Sequence, residues 1–488
     1  MTVPNNINLP GAYLNISNVR AVSGLTAPEF DTVFVGQLLP AGTADEVTPE
    51  YLQIFSQADA EVKFGAGSQL AEMLSGYFKN NSLNKVFAVG LGDAAASTAG
   101  TQIIATTGTA TAPGTIFLYI NGAQLQVGIA IGDDPTAVST AIIAAVNADN
   151  TFPMAASIES VTDVLLTAKN KGTVGNLIDV RVNYNDTDAF PAGITAMDIS
   201  TGVSGATDPD LDDAIAALPD DVIALFVSPY TDVTNIGKMN IEVARRFGPL
   251  VQLEGHAIVA MSGSTSTVAT FTEQFNDHFL TVLDAGNGRP TADYIQVGAL
   301  AGVMAASLGD DPGRPLQTLQ LIGVLPEVKS NRRLWNEKNS LIDSGCSAIG
   351  VSKSGAVTIE RLATTYLTNA SSARDKSYQN TTTMFISSFV RQTLITKVTT
   401  TYPRHKLGND GTRYNADQPV ATPKMITGTI LGWFTQLEGL ALVENYEQFK
   451  DELVVLRDST DPDRVNSILP TDYINQFRVF GGEIQFIL

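Results

Sequence analysis

The chain has one cysteine, Cys346, in 488 residues. No disulfide can close within it, and this usage suits a reducing compartment. Histidine is almost as scarce. His256, His278 and His405 fall in no HExxH or other metal spacing. A zinc ribbon is excluded, and each imidazole reads as a surface or hydrogen-bonded side chain. There is no G-x-S-x-G elbow and no G-x-x-x-x-G-K-[ST] phosphate loop. No run of 18 apolar residues exists, so no membrane span is expected. The opening MTVPNNINLPGAYLNISNV has no Lys or Arg before Arg20 and no continuous apolar core, so it is not expected to be a signal peptide. Positive charge is also short. Lys and Arg number 30 against 50 Asp and Glu, a net of −20, which argues against nucleic acid as a partner of the whole chain.

Hydrophobic residues make up 44% of the chain and charged residues 16%, enough apolar material for large cores and too few charges for general disorder. At roughly 150 residues per domain, the length suggests about three domains. The charge is uneven. Residues 361–424 hold nine basic and three acidic residues, whereas 425–488 hold four and ten. The basic stretch reads either as a solvated face or as a surface for an acidic partner.

Residues 1–20 read as an extended arm or a frayed end, with Leu14 and Ile16 alternating with Asn15 and Ser17. Residues 21–95 mix two strand candidates with a helix from Gly67; GAGSQL at 65–70 lacks the third glycine of a dinucleotide loop. Residues 91–110 have linker composition. An inserted α+β unit is expected over 112–195. Asn121-Gly122 marks a hairpin, Asp134 and Pro135 open a helix, and three further strand candidates follow. Such a unit is expected to be excisable for a short linker. Over 200–366, continuous apolar strands alternate with helices, which predicts a doubly wound parallel sheet. Asp208 is read as the N-cap of a helix over 208–218, and VIALFV as a buried strand. Ligands of such folds sit at the carboxyl ends of the strands, which directs attention to Ser228, Tyr230, Ser262 and Ser264. With His256 nearby in sequence, a hydrolase is the alternative reading. Residues 367–472 form a C-terminal α+β unit, with one helix through 385–396 and another over QLEGLALVENYEQFKDELVV. In the final segment, 473–488, Gly481-Gly482 interrupts a strand pair, and Ile484 and Phe486 alternate with polar residues.

Residues 310–366 organise the rest. DDPGRPLQTL punctuates the chain, LQLIGVL is a buried-strand candidate, and NRRLWNEKNSLIDSG predicts a helix. Leu334, Trp335, Leu341 and Ile342 fall on one face of it, with Gly345 at C′. A hairpin, AIGVSKSGAVTIERLATTY, ends the stretch, turning over 352–355. This wording resembles the tail sheath proteins of contractile phage tails, in their Mu-like branch. The likeness rests on RPLQTL, the W-x-x-x-N-x-L-I-x-x-G helix and V-x-I-E-R-x-x-T-T-Y, and continues through PRHKLGNDGTRYN, LVENYEQFKDELVV and NQFRVFGGEIQFIL. It covers most of 1–95 and 200–488.

The resemblance implies a structural virion tail protein, assembled in the host cytoplasm, with no enzymatic activity and no cofactor. It implies a subtilisin-like central domain without peptidase function and an inner domain facing the tail tube. On that basis Arg391, Lys397, Arg404, Lys406 and Arg413 are expected near the tube. It further implies homo-oligomeric rings stacked in a helical lattice, with the tail tube, baseplate and tail terminator proteins as partners. Terminal arms would link the subunits by strand exchange, through Leu14 and Ile16 at one end and Ile484, Phe486 and Leu488 at the other.

Overall fold

The computed structural model describes residues 29–415 and 417–487. They form two compact units: residues 29–389 together with 475–487, and residues 390–474.

The larger unit begins with β1 (Thr32–Gln37), β2 (Tyr51–Ile54), α1 (Gln57–Phe64), α2 (Gln69–Asn80) and β3 (Val86–Leu91). An insertion follows: β4 (Thr101–Gly108), β5 (Gly114–Ile120), β6 (Ala123–Ile129), α3 (Pro135–Ala148), β7 (Met154–Ile158), β8 (Asp163–Ala168), β9 (Val180–Val182) and β10 (Ile194–Thr201). The chain then returns through α4 (Asp212–Ala216), β11 (Leu225–Val227), α5 (Val233–Phe247), β12 (His256–Met261), α6 (Thr265–Thr272), β13 (Leu280–Asp284), α7 (Asp293–Leu308), α8 (Trp335–Asp343), β14 (Cys346–Val351) and β15 (Val357–Arg361).

The main sheet has the order β15-β14-β13-β12-β11-β1-β3-β2. The six inner strands are parallel, and an antiparallel strand closes each edge. Both faces are apolar because alternate residues point to opposite sides. Phe34, Leu225, Val227, Ile258 and Leu283 pack beneath α2 and α7. Their neighbours Val33, Val35, Phe226, Val259 and Val282 pack beneath α5 and α6. This is the doubly wound parallel sheet expected of 200–366, with β1–β3 supplied from residues 32–91.

Helix α7 is buried almost all round and lies directly against α2. Glycines permit the approach. A Cβ on Gly298 would fall 2.1 Å from the Met73 carbonyl oxygen, and one on Gly76 would fall 2.4 Å from that of Ile295.

The insertion builds a four-stranded sheet, β10-β4-β8-β7, and a three-stranded one, β6-β5-β9, with its own core around Ile116, Leu118, Val138 and Ile142. The Asn121-Gly122 hairpin forms, and the Asp134 side chain accepts from Ala137 N at 2.9 Å. The unit is wider than 112–195. Residues 101–108, of linker composition, are the strand β4 between β10 and β8. Small Ala, Thr and Gly residues serve there because the strand is only half-buried.

Several other local expectations change. LQLIGVL is not a strand; Gln320 alone makes an isolated bridge, and Gly323 turns the chain at φ +87°. The helix expected over 331–345 starts only at Trp335. Leu341 is buried, but Leu334 and Trp335 are 66% and 80% exposed, so no apolar face joins them. Gly345 does terminate that helix, at φ +82°. Asp208 does not cap a helix over 208–218. Its carboxylate accepts from Thr173 N at 2.7 Å, a partner 35 residues away, and α4 is only five residues long.

Helix α9 (Thr381–Thr401) belongs to both units. The division falls within it at 389/390, rather than at 366/367, because its first turns enter the larger core. Phe385 lies 5.6 Å from the Phe30 ring and 5.5 Å from that of His256. The smaller unit continues with β16 (Lys406–Leu407), β17 (Val420–Ala421), α10 (Pro423–Gly439), β18 (Val443–Glu444), α11 (Tyr446–Glu452), β19 (Val454–Arg457), β20 (Val465–Ile468) and β21 (Asp472–Tyr473). Trp433 and Phe434 fill its core; Phe434 stacks on Phe449 at 3.9 Å, and Trp433 Nε1 donates to Thr393 Oγ1 at 3.2 Å. The single helix expected over 436–455 is broken at 440–445, where Ala441 and Asn445 take positive φ. ITGTILGWF, 426–434, lies in α10.

Candidate assembly surfaces

The crevice at the carboxyl ends of β12 and β13 is occupied by the protein's own ion pairs. Asp284 at the end of β13 receives Arg333 through two bonds, at 2.9 and 3.1 Å, and Arg333 also donates to the Gly263 carbonyl at 2.6 Å. Arg289 is bound to Glu327 at 2.5 and 3.3 Å and to Gln296 at 3.1 Å. Asp293 accepts from Ser262 N at 2.9 Å, and burial raises its carboxyl to about 6.

The serines singled out in the sequence have structural work there. Ser264 caps α6, accepting from Thr267 N at 3.1 Å, and Ser228 is buried beside an equally buried Tyr230. His256 is not among them. It begins β12, whereas Ser262 follows its end, so six residues at roughly 3.3 Å each separate them. Its Nε2 pairs with Thr281 Oγ1 at 2.8 Å, and burial, with His278 nearby, lowers it to about 3. The hydrolase constellation is therefore not assembled. Among the described residues, no three His, Cys, Asp or Glu side chains are grouped to hold a metal, and no helix is long and apolar enough to cross a membrane.

The basic candidates all fall in the smaller unit. Arg404, Lys406 and Arg413 are exposed on the segment that flanks β16 and leads to β17. Lys406 Nζ donates to Gln418 Oε1 at 3.3 Å. Arg391 and Lys397 are half-buried on α9. Six residues apart, they leave the helix about 120° from one another, so the five do not share one face.

The final segment is the most exposed apolar stretch. Residues 474–487 form no strand. Phe477, Val479 and Phe480 are 73%, 82% and 84% exposed; Ile484, Phe486 and Ile487 are 96%, 81% and 98% exposed. Leu14, Ile16 and Leu488 lie outside the described residues. Sequence reading missed a counterpart, the hairpin β19–β20, because 454–455 were assigned to a helix. Both of its outer edges are unpaired among the described residues, and Leu456 and Ile468 are exposed. The signal was present as VVLR and VNSI on either side of the charged turn.

Comparison with known proteins decides the family. The phage tail sheath protein central domain profile matches residues 204–365, and the phage tail sheath C-terminal domain profile matches 373–487. A Mu-like prophage tail sheath protein of Haemophilus influenzae is 36% identical over 100% of this chain and 99% of its own. The chain belongs to the phage tail sheath family. It is a structural subunit of a contractile tail sheath, a component of the virion tail. A sheath tail protein of Listeria innocua shares the fold at TM-score 0.50 and 11% identity, over 93% of this chain and 94% of that one. The helical sheath of the anti-feeding prophage in its contracted state aligns at TM-score 0.49 and 10% identity, over 98% of this chain and 99% of its own.

Proposed function

We propose that this sheath subunit polymerises as stacked rings around a tail tube and contracts to drive the tube through the host envelope, with no catalytic step of its own. The observation that carries this reading is the exposed segment 475–487. Six large apolar side chains stand in water there, and each would gain roughly 1.5–3 kcal/mol on full burial. A strand with unpaired N–H and C=O groups adds readily to another sheet edge, and alternate side chains set its register. The open edges of β19–β20 on a second copy are the acceptor we favour. Ile484, Phe486 and Leu488 would enter from one neighbour, and Leu14 and Ile16 from another.

Contraction then draws on better packing of the lattice rather than on a nucleotide. Arg391, Lys397, Arg404, Lys406 and Arg413 would line the tube side, with tube, baseplate and terminator proteins as partners and assembly in the host cytoplasm. The antiparallel-edged parallel sheet is consistent with a subtilisin-like winding. Deletion of residues 483–488 tests the reading. The expected product is a folded subunit with wild-type circular dichroism that sediments as a monomer. Tubes of normal length from the truncated chain would overturn the C-terminal arm as a lattice connector.

A further inference from the structure

At the root of the C-terminal arm two guanidinium groups reach the start of α9 without an acid, Arg361 through Asn380 and Arg478 through Gln476, which bonds Thr382. Arg361 ends β15 and Arg478 lies in the arm; both are half-buried, and the Nε of each is buried with no hydrogen-bond partner. Arg361 Nη2 reaches only neutral groups, Gln379 Oε1 and Asn380 Oδ1, each at 3.1 Å. Arg478 Nη2 reaches Gln476 Oε1. The acid whose charge Arg361 feels, Asp343, is already bound by Arg374 at 3.3 Å.

The fully buried arginines of the larger unit each hold a carboxylate: Arg246 with Glu242, Arg289 with Glu327 and Arg333 with Asp284. A buried donor left unmade is costly, and a like-charged neighbour adds to the cost. Burial and the charge of Arg361 push the Arg478 guanidinium down to about 10. The surroundings add positive potential. Gln476 Nε2 donates to Thr382 Oγ1 at 2.5 Å, so the pair lies by the first turn of α9, where helix N–H groups favour an anion.

We infer that Arg361 and Arg478 form a two-arginine anion site, filled by an Asp or Glu side chain of a second copy when subunits assemble. Paired guanidinium groups match the planar fork of a carboxylate. A second copy offers that chemistry in excess, since residues 29–389 carry 38 Asp and Glu against 19 Lys and Arg. The choice of a second copy rests on the polymerisation reading above; anion binding by the isolated subunit does not.

The test uses Arg361→Gln, Arg478→Gln and the double variant in the full chain. In the unassembled subunit each removes a charge that has no partner, so Tm should hold or rise. In assembly, the concentration needed for polymerisation should increase by about tenfold or more, the loss expected for one charge-assisted bond. Inorganic phosphate should raise the Tm of the wild-type subunit, and of the subunit lacking 483–488, but not that of the double variant. A lower Tm in both single variants, or an equal phosphate response in the double variant, overturns the site. A phosphate response with wild-type polymerisation of the double variant overturns the second copy as ligand. Failure of the arm reading alone would appear as tubes from the 483–488 deletion, with the phosphate response intact.

Discussion

Glu72 shows how a single residue ties the sequence to the assembly of the fold. It lies on α2, where the Asn121-Gly122 hairpin of the insertion lands. Tyr294 of α7 donates to its Oε2 at 2.6 Å and Asn121 Nδ2 at 3.1 Å, and the charges that face it are Lys79 and Lys169. Burial outweighs these partners and raises the carboxyl to about 7. A carboxyl raised in the folded state stabilises it most below the unfolded value, and that stability is lost as pH rises through 7. Glu72→Gln keeps an acceptor and removes the titration. It should flatten stability between pH 5 and 8.5 and raise it at the upper end, by about 1–3 kcal/mol at most. Urea midpoints at both ends check this; an equal loss at pH 5 and 8.5 would mean that charge is not the issue. Nothing in the sequence around Glu72 announces this role, because its partners lie 49 and 222 residues away. Local signals were legible: Asp134 as a cap, Asn121-Gly122 as a hairpin and Gly345 as a helix stop each depend on neighbours a few residues off. Asp208 was misread for the converse reason, its partner Thr173 being distant.

At the scale of elements, period and length carried most of the reading. The strands of the parallel sheet were visible as apolar runs because both faces are covered. LQLIGVL has the same composition as those strands, but Gly323 breaks it and Ile322 is half in solvent. The apolar residues of 440–455 suggested one helix, whereas positive φ at Ala441 and Asn445 splits them; neither is a glycine, and the breaker that the sequence did show, Gly439, is where α10 ends. Packing between elements was the least legible level. Gly76 and Gly298 look like ordinary weak helix residues, yet they set the separation of α2 and α7. Gly298→Ala would place a methyl 2.1 Å from the Met73 carbonyl oxygen, which no side-chain movement can relieve. Gly237, on α5, has nothing within 4 Å of its Cβ position. Gly298→Ala should therefore destabilise by about 2–4 kcal/mol or fail to fold, as overpacking in a tight core does. Gly237→Ala should stabilise by roughly 0.5–1 kcal/mol through helix propensity. Thermal melts of the two variants compare them directly; similar Tm values would show that the helices can separate at little cost.

For the whole molecule, the question that the sequence left to the structure is how the insertion sits on its unit. Composition alone portrays it as an appendage between linkers, removable without consequence. The contacts differ. Thr98 and Ala206 bridge at the neck, N–H to carbonyl in both directions at 3.1 and 3.2 Å, which places the cut points side by side. Beyond the neck, Asn170 accepts from Gln69 N at 2.8 Å and donates to the Leu38 carbonyl at 2.8 Å. Gln37 Nε2 reaches the Lys171 carbonyl at 2.7 Å. Farther along, Arg181 holds the Gly288 carbonyl at 2.6 Å, Tyr184 that of Pro326 at 2.9 Å, and Asn121 meets Glu72. Each such bond contributes roughly 0.5–1.5 kcal/mol net. Excision of residues 99–205, closed by a two-residue turn, frees the body groups to water rather than stranding them in an apolar interior. The core should therefore fold, but with stability lower by several kcal/mol and Tm lower by about 5–10 °C, given the few degrees per kcal/mol typical of domains this size or smaller. Differential scanning calorimetry of the excised chain gives the answer. An unchanged Tm would return the insertion to the status of a passive appendage, and a chain that does not fold would show that the body depends on it.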